Sequence, residues 1–171
     1  MQYLVRRSSR AKYIHLRVTP GGVVTLTVPE KTPIEAAEKF VRSRAAWLQR
    51  AIQRMANLVA LPSKRRDYEE RKERARELIT ARIRHWNARL KYEYGRIAIK
   101  NTKRAWGSCS SKGNLNFSYR LLFVPPELLD YVVVHELCHL KERNHGPRFW
   151  AEVGKVLPGY QELRRELRRY I

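Results

Sequence analysis

The run His135-Glu136-Leu137-Cys138-His139 constrains this chain more than any other, because what it can do depends on its lying on an α-helix. There, residues four apart project from one face about a turn from each other, so His135 and His139 can reach one ion, with Glu136 beside them. The flanking sequence supplies such a helix. Pro125-Pro126-Glu127 starts it, with Pro126 near the first helical position. Leu128, Leu129, Val132, Val133 and Val134 are expected to bury it, leaving His135, Glu136 and His139 toward a cleft. After Lys141-Glu142-Arg143 the chain must leave the helix for His145 to swing back, and Gly146-Pro147 supply the break and the next helix start.

Three of the five histidines fall within these eleven residues. Three neutral imidazoles with a position left open are a zinc ligand set of the catalytic kind, so His135, His139 and His145 are the candidate ligands of one Zn²⁺. A carboxylate at Glu136 can hold the water that the metal activates and take its proton. Glu142 and Glu152 are the nearby candidates for an acidic partner that orients a ligating imidazole. The remaining histidines have structural explanations: His15 lies on the polar face of an expected strand, and His85 stands beside Trp86 on an expected helix.

Residues 1–62 are expected to form an N-terminal unit. Tyr13 to Val18 alternates apolar and polar, Pro20-Gly21-Gly22 is a turn and Val23 to Val28 is β-branched, which predicts a hairpin, with Tyr3 to Arg7 as a third strand. Thr32-Pro33-Ile34-Glu35 reads as a capping box, and the stripe Phe40, Val41, Ala45, Trp47, Leu48, Ile52 and Met55 predicts one helix to about Val59. A polar linker from Leu61 to Arg66 leads into residues 63–171. There a helix capped by Asp67 is expected to bury Ala75, Leu78, Ile79, Ile83, Trp86 and Leu90. Next come a small, largely antiparallel sheet from residues 96–100, 105–110, 115–118 and 121–124, the histidine helix, a helix from Pro147 to about Val156 and a charged helix from Gln161 to Tyr170. The fold class is α+β.

The chain carries 36 lysines and arginines against 16 acids, a formal charge of +20, and the first 66 residues hold 14 of those bases against three acids. A field of this sign attracts polyanions such as nucleic acid or nucleotides. Arg6, Arg7, Arg10, Lys12, Arg42 and Arg50 are the expected contacts if the N-terminal unit lies on a phosphate backbone. Such contact would be nonspecific, since no helix-turn-helix, zinc-finger or aromatic RNA-binding signature is present. The 43% hydrophobic content separates this charge from disorder. Cys109 and Cys138 lack C-x-x-C spacing and are read as free thiols. No signal-peptide core or run of bilayer length is seen, so a cytoplasmic protein without membrane contact is expected.

Trp106-Gly107-Ser108-Cys109-Ser110, the run Tyr131 to Lys141 and Asn144-His145 through Phe149-Trp150 together resemble the YgjP-like family of metal-dependent hydrolases. That family is related to the SprT-like zinc metallopeptidases within the wider zincin group. The resemblance implies a zincin-like fold, zinc held by His135, His139 and His145, and Glu136 as catalytic base. The leading function is then a metallopeptidase acting on peptide or protein substrates, including proteins associated with nucleic acid. Metzincins are excluded: Glu142 stands where they place a glycine, and no methionine follows Met55. Trp106, Gly107, Ser108 and Cys109 form either an edge strand along which an extended peptide pairs or a turn in which Gly107 permits tight packing and Trp106 fills the core. Tyr119 and Tyr160 are candidate oxyanion donors. Two alternatives remain: a metal-dependent nucleotide or phosphate-ester hydrolase, and a nucleic-acid-binding module with a structural metal.

Overall fold

The computed structural model describes residues 2–170 and contains two compact units, Met1–Ala60 and Leu61–Ile171. In the first, β2 (His15–Val18) and β3 (Val24–Pro29) form the expected hairpin. β1 (Leu4–Ser8) adds to the other side of β3 in parallel. The order β1-β3-β2 makes β3 central, and its alternation buries Val24, Leu26 and Val28 on one face. Gly21 and Gly22 both take positive φ, 83° and 77°, in the tight turn before β3, which side chains with a Cβ rarely adopt.

The single helix expected up to Val59 is two, α1 (Ile34–Ser43) and α2 (Ala45–Ala56), broken at Arg44 with φ −109° and ψ 11°. The Ser43 hydroxyl donates to the Phe40 carbonyl at 2.8 Å, offering the backbone a bond outside the helical ladder. Ala37, Val41 and Leu48 pack into the same small core, so the apolar stripe runs on through a break it cannot register. Pro33 sits at the N-cap without a side-chain cap bond, so the expected capping box is not formed.

The second unit opens with α3 (Arg65–Leu90). Asp67 lies inside its first turn and accepts from the Lys64 amide at 3.3 Å rather than standing at the cap. Ala75, Ile79 and Ile83 are buried, whereas Leu78, expected inside, is exposed. A mixed sheet follows, with order β4-β6-β5: β4 (Ile97–Lys100) runs parallel to β6 (Leu115–Ser118), and β5 (Gly107–Cys109) antiparallel to it at the edge. The α+β class is as read from the sequence. The strand direction is not, because alternation reports which face is buried and is silent on parallel or antiparallel pairing.

Of residues 121–124, expected as a strand, Leu121, Leu122 and Phe123 belong instead to a 3₁₀ turn, Tyr119–Phe123, with Val124 as its C-cap. It begins where Ser118 Oγ accepts from the Arg120 amide at 3.3 Å and turns the chain inward. The turn delivers α4 (Pro126–Cys138), followed by α5 (Pro147–Val156) and α6 (Tyr160–Leu167). α4 is buried nearly all round, by Leu128, Leu129, Val132, Val133, Val134 and Leu137, against a core that includes Ile79, Ile83, Phe117 and Phe149. Arg82 of α3 grips Asp130 of α4 with two bonds of 2.5 Å. Among the described residues no helix is long and apolar enough to cross a membrane.

Candidate metal centre

α4 ends at Cys138, and His139 occupies the C-cap still in helical conformation, its amide bonded to the His135 carbonyl. His135 and His139 therefore keep the helical i, i+4 relation although only the first is within the helix. The chain then doubles back: the Lys141 and Glu142 amides both donate to the Cys138 carbonyl, at 3.1 and 2.9 Å. Gly146 caps α5 with Pro147 in its first turn. This places His145 opposite the helix. His145 Nε2 lies 3.0 Å from His135 Nε2 and 3.1 Å from His139 Nε2.

An aromatic bed fixes the three rings. Phe149 stacks under His139 at 4.4 Å and meets His135 and His145 edge-on at 4.9 and 4.8 Å. Trp150 stacks on His145, donates its Nε1–H to the His145 carbonyl at 3.0 Å, and is itself covered by Tyr160 and by the Arg164 guanidinium 4.7 Å from its centroid. Sequence reading placed Phe149 and Trp150 in the motif without this role. The signal was their nearness: Phe149 and Trp150 lie in the first turn of α5, directly after the His145 turn.

The donor chemistry suits a cation. His139 Nδ1 faces the Glu142 carbonyl at 3.1 Å; a carbonyl only accepts, so Nδ1 carries the proton and Nε2 turns its lone pair inward. Burial, followed by the neighbouring imidazoles His139 and His145, pushes His135 down to about 3, so it is neutral at physiological pH. Burial likewise lowers His139. Lone pairs about 3 Å apart repel unless a positive ion lies among them, and His135, His139 and His145 can together hold one. The acidic orienting partners expected at Glu142 and Glu152 are not used. Glu142 serves through its backbone carbonyl. The Glu152 carboxylate is committed to Lys141, Lys155 and Tyr92, at 3.0, 2.8 and 3.1 Å. His135 Nδ1 is buried with no hydrogen-bond partner.

Glu136 is 5% exposed, and burial raises its carboxyl to about 8. The Oε2 atom is buried without a partner. The side chain lies against the backbone of β5: a Cβ added at Gly107 would come within 2.6 Å of Glu136 Cγ and 2.7 Å of Oε1. Glycine at 107 is thus required by closeness of approach, not by its φ. Gly107, Ser108 and Cys109 line a cleft of about 330 Å³ together with the three histidines, Glu136 and Arg143. Arg143, which sequence reading passed over, is held there by a 2.7 Å bond to the Ser111 carbonyl.

Trp106 departs from the expected set. It lies one residue before β5, packs partly against the core and lines a separate hollow. Gly107 packs tightly, and β5 lies at the sheet edge. Tyr119 is fully buried between Tyr68 and Phe123, and Tyr160 is stacked on Trp150; neither lines the cleft. His15 and His85 are both exposed. Of the six basic residues singled out in the first unit, Arg7 donates to the Glu30 and Thr32 carbonyls, Arg42 pairs with Glu38 and Arg50 bonds the Ala46 carbonyl. Arg6, Arg10 and Lys12 are exposed.

The family model of the YgjP-like, metallopeptidase domain matches residues 12–73 and 63–170. The chain belongs to this family. The YgjP-like chain is therefore an enzyme of the zinc-hydrolase class, the family implies a metal, usually zinc, and peptides or proteins are the substrate class of its peptidases. Solved structures to which it is similar include two metallopeptidase zymogens. One is the metallopeptidase zymogen of Pyrococcus abyssi abylysin, with 27% identity over 52% of this chain and 90% of that one, at a TM-score of 0.48. The other is the metallopeptidase zymogen of Methanocaldococcus jannaschii jannalysin, with 26% identity over 52% and 92%, at 0.47. No curated protein matches the chain.

Proposed function

We propose that the chain hydrolyses peptide bonds, with His135, His139 and His145 holding one zinc ion and Glu136 acting as the base toward water. The observation that carries this reading is the meeting of three inward-facing Nε2 atoms beside a buried carboxylate in one cleft. When bound, zinc supplies a Lewis acid that acidifies water and polarises a carbonyl. Glu136 takes the proton of the attacking water on its carboxylate and hands it to the departing amine. Its high affinity for a proton, set by burial, suits the second transfer; a cation among the imidazoles lowers it and suits the first. The edge strand β5 offers backbone groups with which an extended peptide pairs, aligning its scissile carbonyl across from Glu136.

Exposed Arg6, Arg10 and Lys12 support a further element of the reading, that the N-terminal unit holds the enzyme near nucleic acid and the proteins bound there. Metal analysis of the purified chain, followed by incubation with casein, nucleoside triphosphates and DNA beside Glu136→Gln, tests all of this. Peptide fragments from the parent and none from the variant are expected. Pyrophosphate release would replace the reading by phosphoryl chemistry, and salt-sensitive DNA binding without turnover by a binding module.

A further inference from the structure

The second unit holds a hollow of about 430 Å³ lined by Arg120, Trp106, Lys103, Arg104, Ser63 and Tyr170, among other residues. Its floor is unusual. Arg120 is 4% exposed, its Nε is buried with no hydrogen-bond partner, and its guanidinium lies 5.6 Å from the Trp106 ring centroid. Burial lowers its pKa and no carboxylate counters this. Among the described residues Lys103 and Arg104, exposed on the rim, pair with no acid, and no Asp or Glu lines the hollow. Elsewhere in this unit a half-buried arginine, Arg82, is matched by two bonds to Asp130.

A guanidinium cannot shed its charge as an imidazole can, so burying one without a carboxylate is costly unless a ligand brings the anion. Its planar fork, with one face on Trp106, leaves in-plane N–H donors of the geometry that grips a carboxylate or phosphate. The hollow also has an address. Trp106 immediately precedes Gly107, where β5 enters the histidine cleft, so a peptide laid along the sheet edge at β5 and continuing past Gly107 leads toward Trp106, Arg104 and Lys103.

We propose that this hollow is an oxyanion subsite in which Arg120, Lys103 and Arg104 receive an acidic side chain of the peptide substrate, a few residues from the bond cut. The proposal rests on the peptidase reading of the cleft and names the substrate class as acidic peptides.

Binding separates the two. In the Glu136→Gln full chain, loaded with zinc, a blocked peptide carrying adjacent glutamates should bind about tenfold more tightly than its glutamine counterpart. Lys103→Gln/Arg104→Gln should abolish that preference. Arg74→Gln/Arg84→Gln, which removes the same charge from the exposed side of α3, should leave it intact. Inorganic phosphate should compete with the glutamate peptide alone. Equal affinities for the two peptides, or equal losses in both double variants, would overturn the subsite in favour of the general field of a basic protein. Phosphate that binds without displacing the glutamate peptide would overturn it in favour of a free-anion site. Arg120→Lys, which keeps the charge and loses the fork, should weaken the preference with an unchanged melting transition. A wild-type enzyme that cuts no peptide, with the glutamate preference in binding intact, sinks the peptidase reading and leaves only the oxyanion-binding hollow; one that cuts both peptides equally sinks the subsite alone.

Discussion

Two hollows lie on either side of the junction between Trp106 and Gly107, and burial has acted on them in opposite ways. In the histidine cleft, desolvation strips charge: His135 is held neutral and Glu136 holds its proton to about 8. In the Arg120 hollow, desolvation cannot strip charge, because the guanidinium pKa starts too far above neutrality. The same cost therefore produces a nest of lone pairs that invites a cation on one side and an unmatched cation that invites an oxyanion on the other. What the difference teaches is that burial selects the ligand through the intrinsic pKa of the buried group.

The comparison can be broken most decisively at His145. His145→Ala should drop bound zinc from about one ion per chain to near none, measured by plasma emission, and abolish turnover with it; a variant that still holds zinc would show that the three rings are not its cage. Glu136→Gln should retain the metal and lower turnover about 10²–10⁴-fold. Gly107→Ala forces a methyl into the Glu136 side chain and should lower turnover about 10–100-fold by displacing the carboxylate. Unchanged kinetics would place Glu136 outside the chemistry.

The two arginines sharpen the contrast from the stability side. Arg82→Met breaks a pair with Asp130 and should cost about 1–3 kcal/mol in urea denaturation. Arg120→Met replaces an unmatched buried charge by an apolar chain of similar length and should leave stability unchanged or raised while losing the acidic-peptide preference. The smallest effect is a pH slope in the metal-free chain. Glu136 has a folded pKa raised from 4.5 to about 8, so the folded state binds the extra proton in that window and stability falls as pH rises through it. His135, lowered from 6.5 to about 3, has the opposite sign: its contribution is complete above 6.5 and is lost as pH falls toward 3. Between 6.5 and 8 only the Glu136 slope remains of the two, so denaturation midpoints should decline there in the parent and lose that decline in Glu136→Gln.

Much of the centre was legible because it is local. His135 and His139 are tied by helical period, and Gly146-Pro147 announces the turn that returns His145; these depend on a few consecutive residues. The aromatic bed was half legible, since Phe149 and Trp150 were visible in the motif and their stacking was not. Glu142 and Glu152 misled because nearness in sequence suggested acidic partners, whereas Glu142 contributes its carbonyl and Glu152 is taken by lysines. The parallel pairing of β4 with β6, the break at Arg44 and the 3₁₀ turn at Tyr119 escaped for one reason. An apolar pattern tells which side chains are buried, and several backbone paths bury the same ones.

The sequence by itself determined the helical histidine pair, the third imidazole, the carboxylate beside them and the α+β class, all of which follow from short-range periodicity and the chemistry of the side chains. Only the tertiary structure decided that Gly107 presses on Glu136, that β5 stands at the sheet edge and that Arg120 is buried without a counter-charge among the described residues. Each of these joins residues far apart in the chain, and burial, which sets charge state and ligand preference alike, is a property of that assembly.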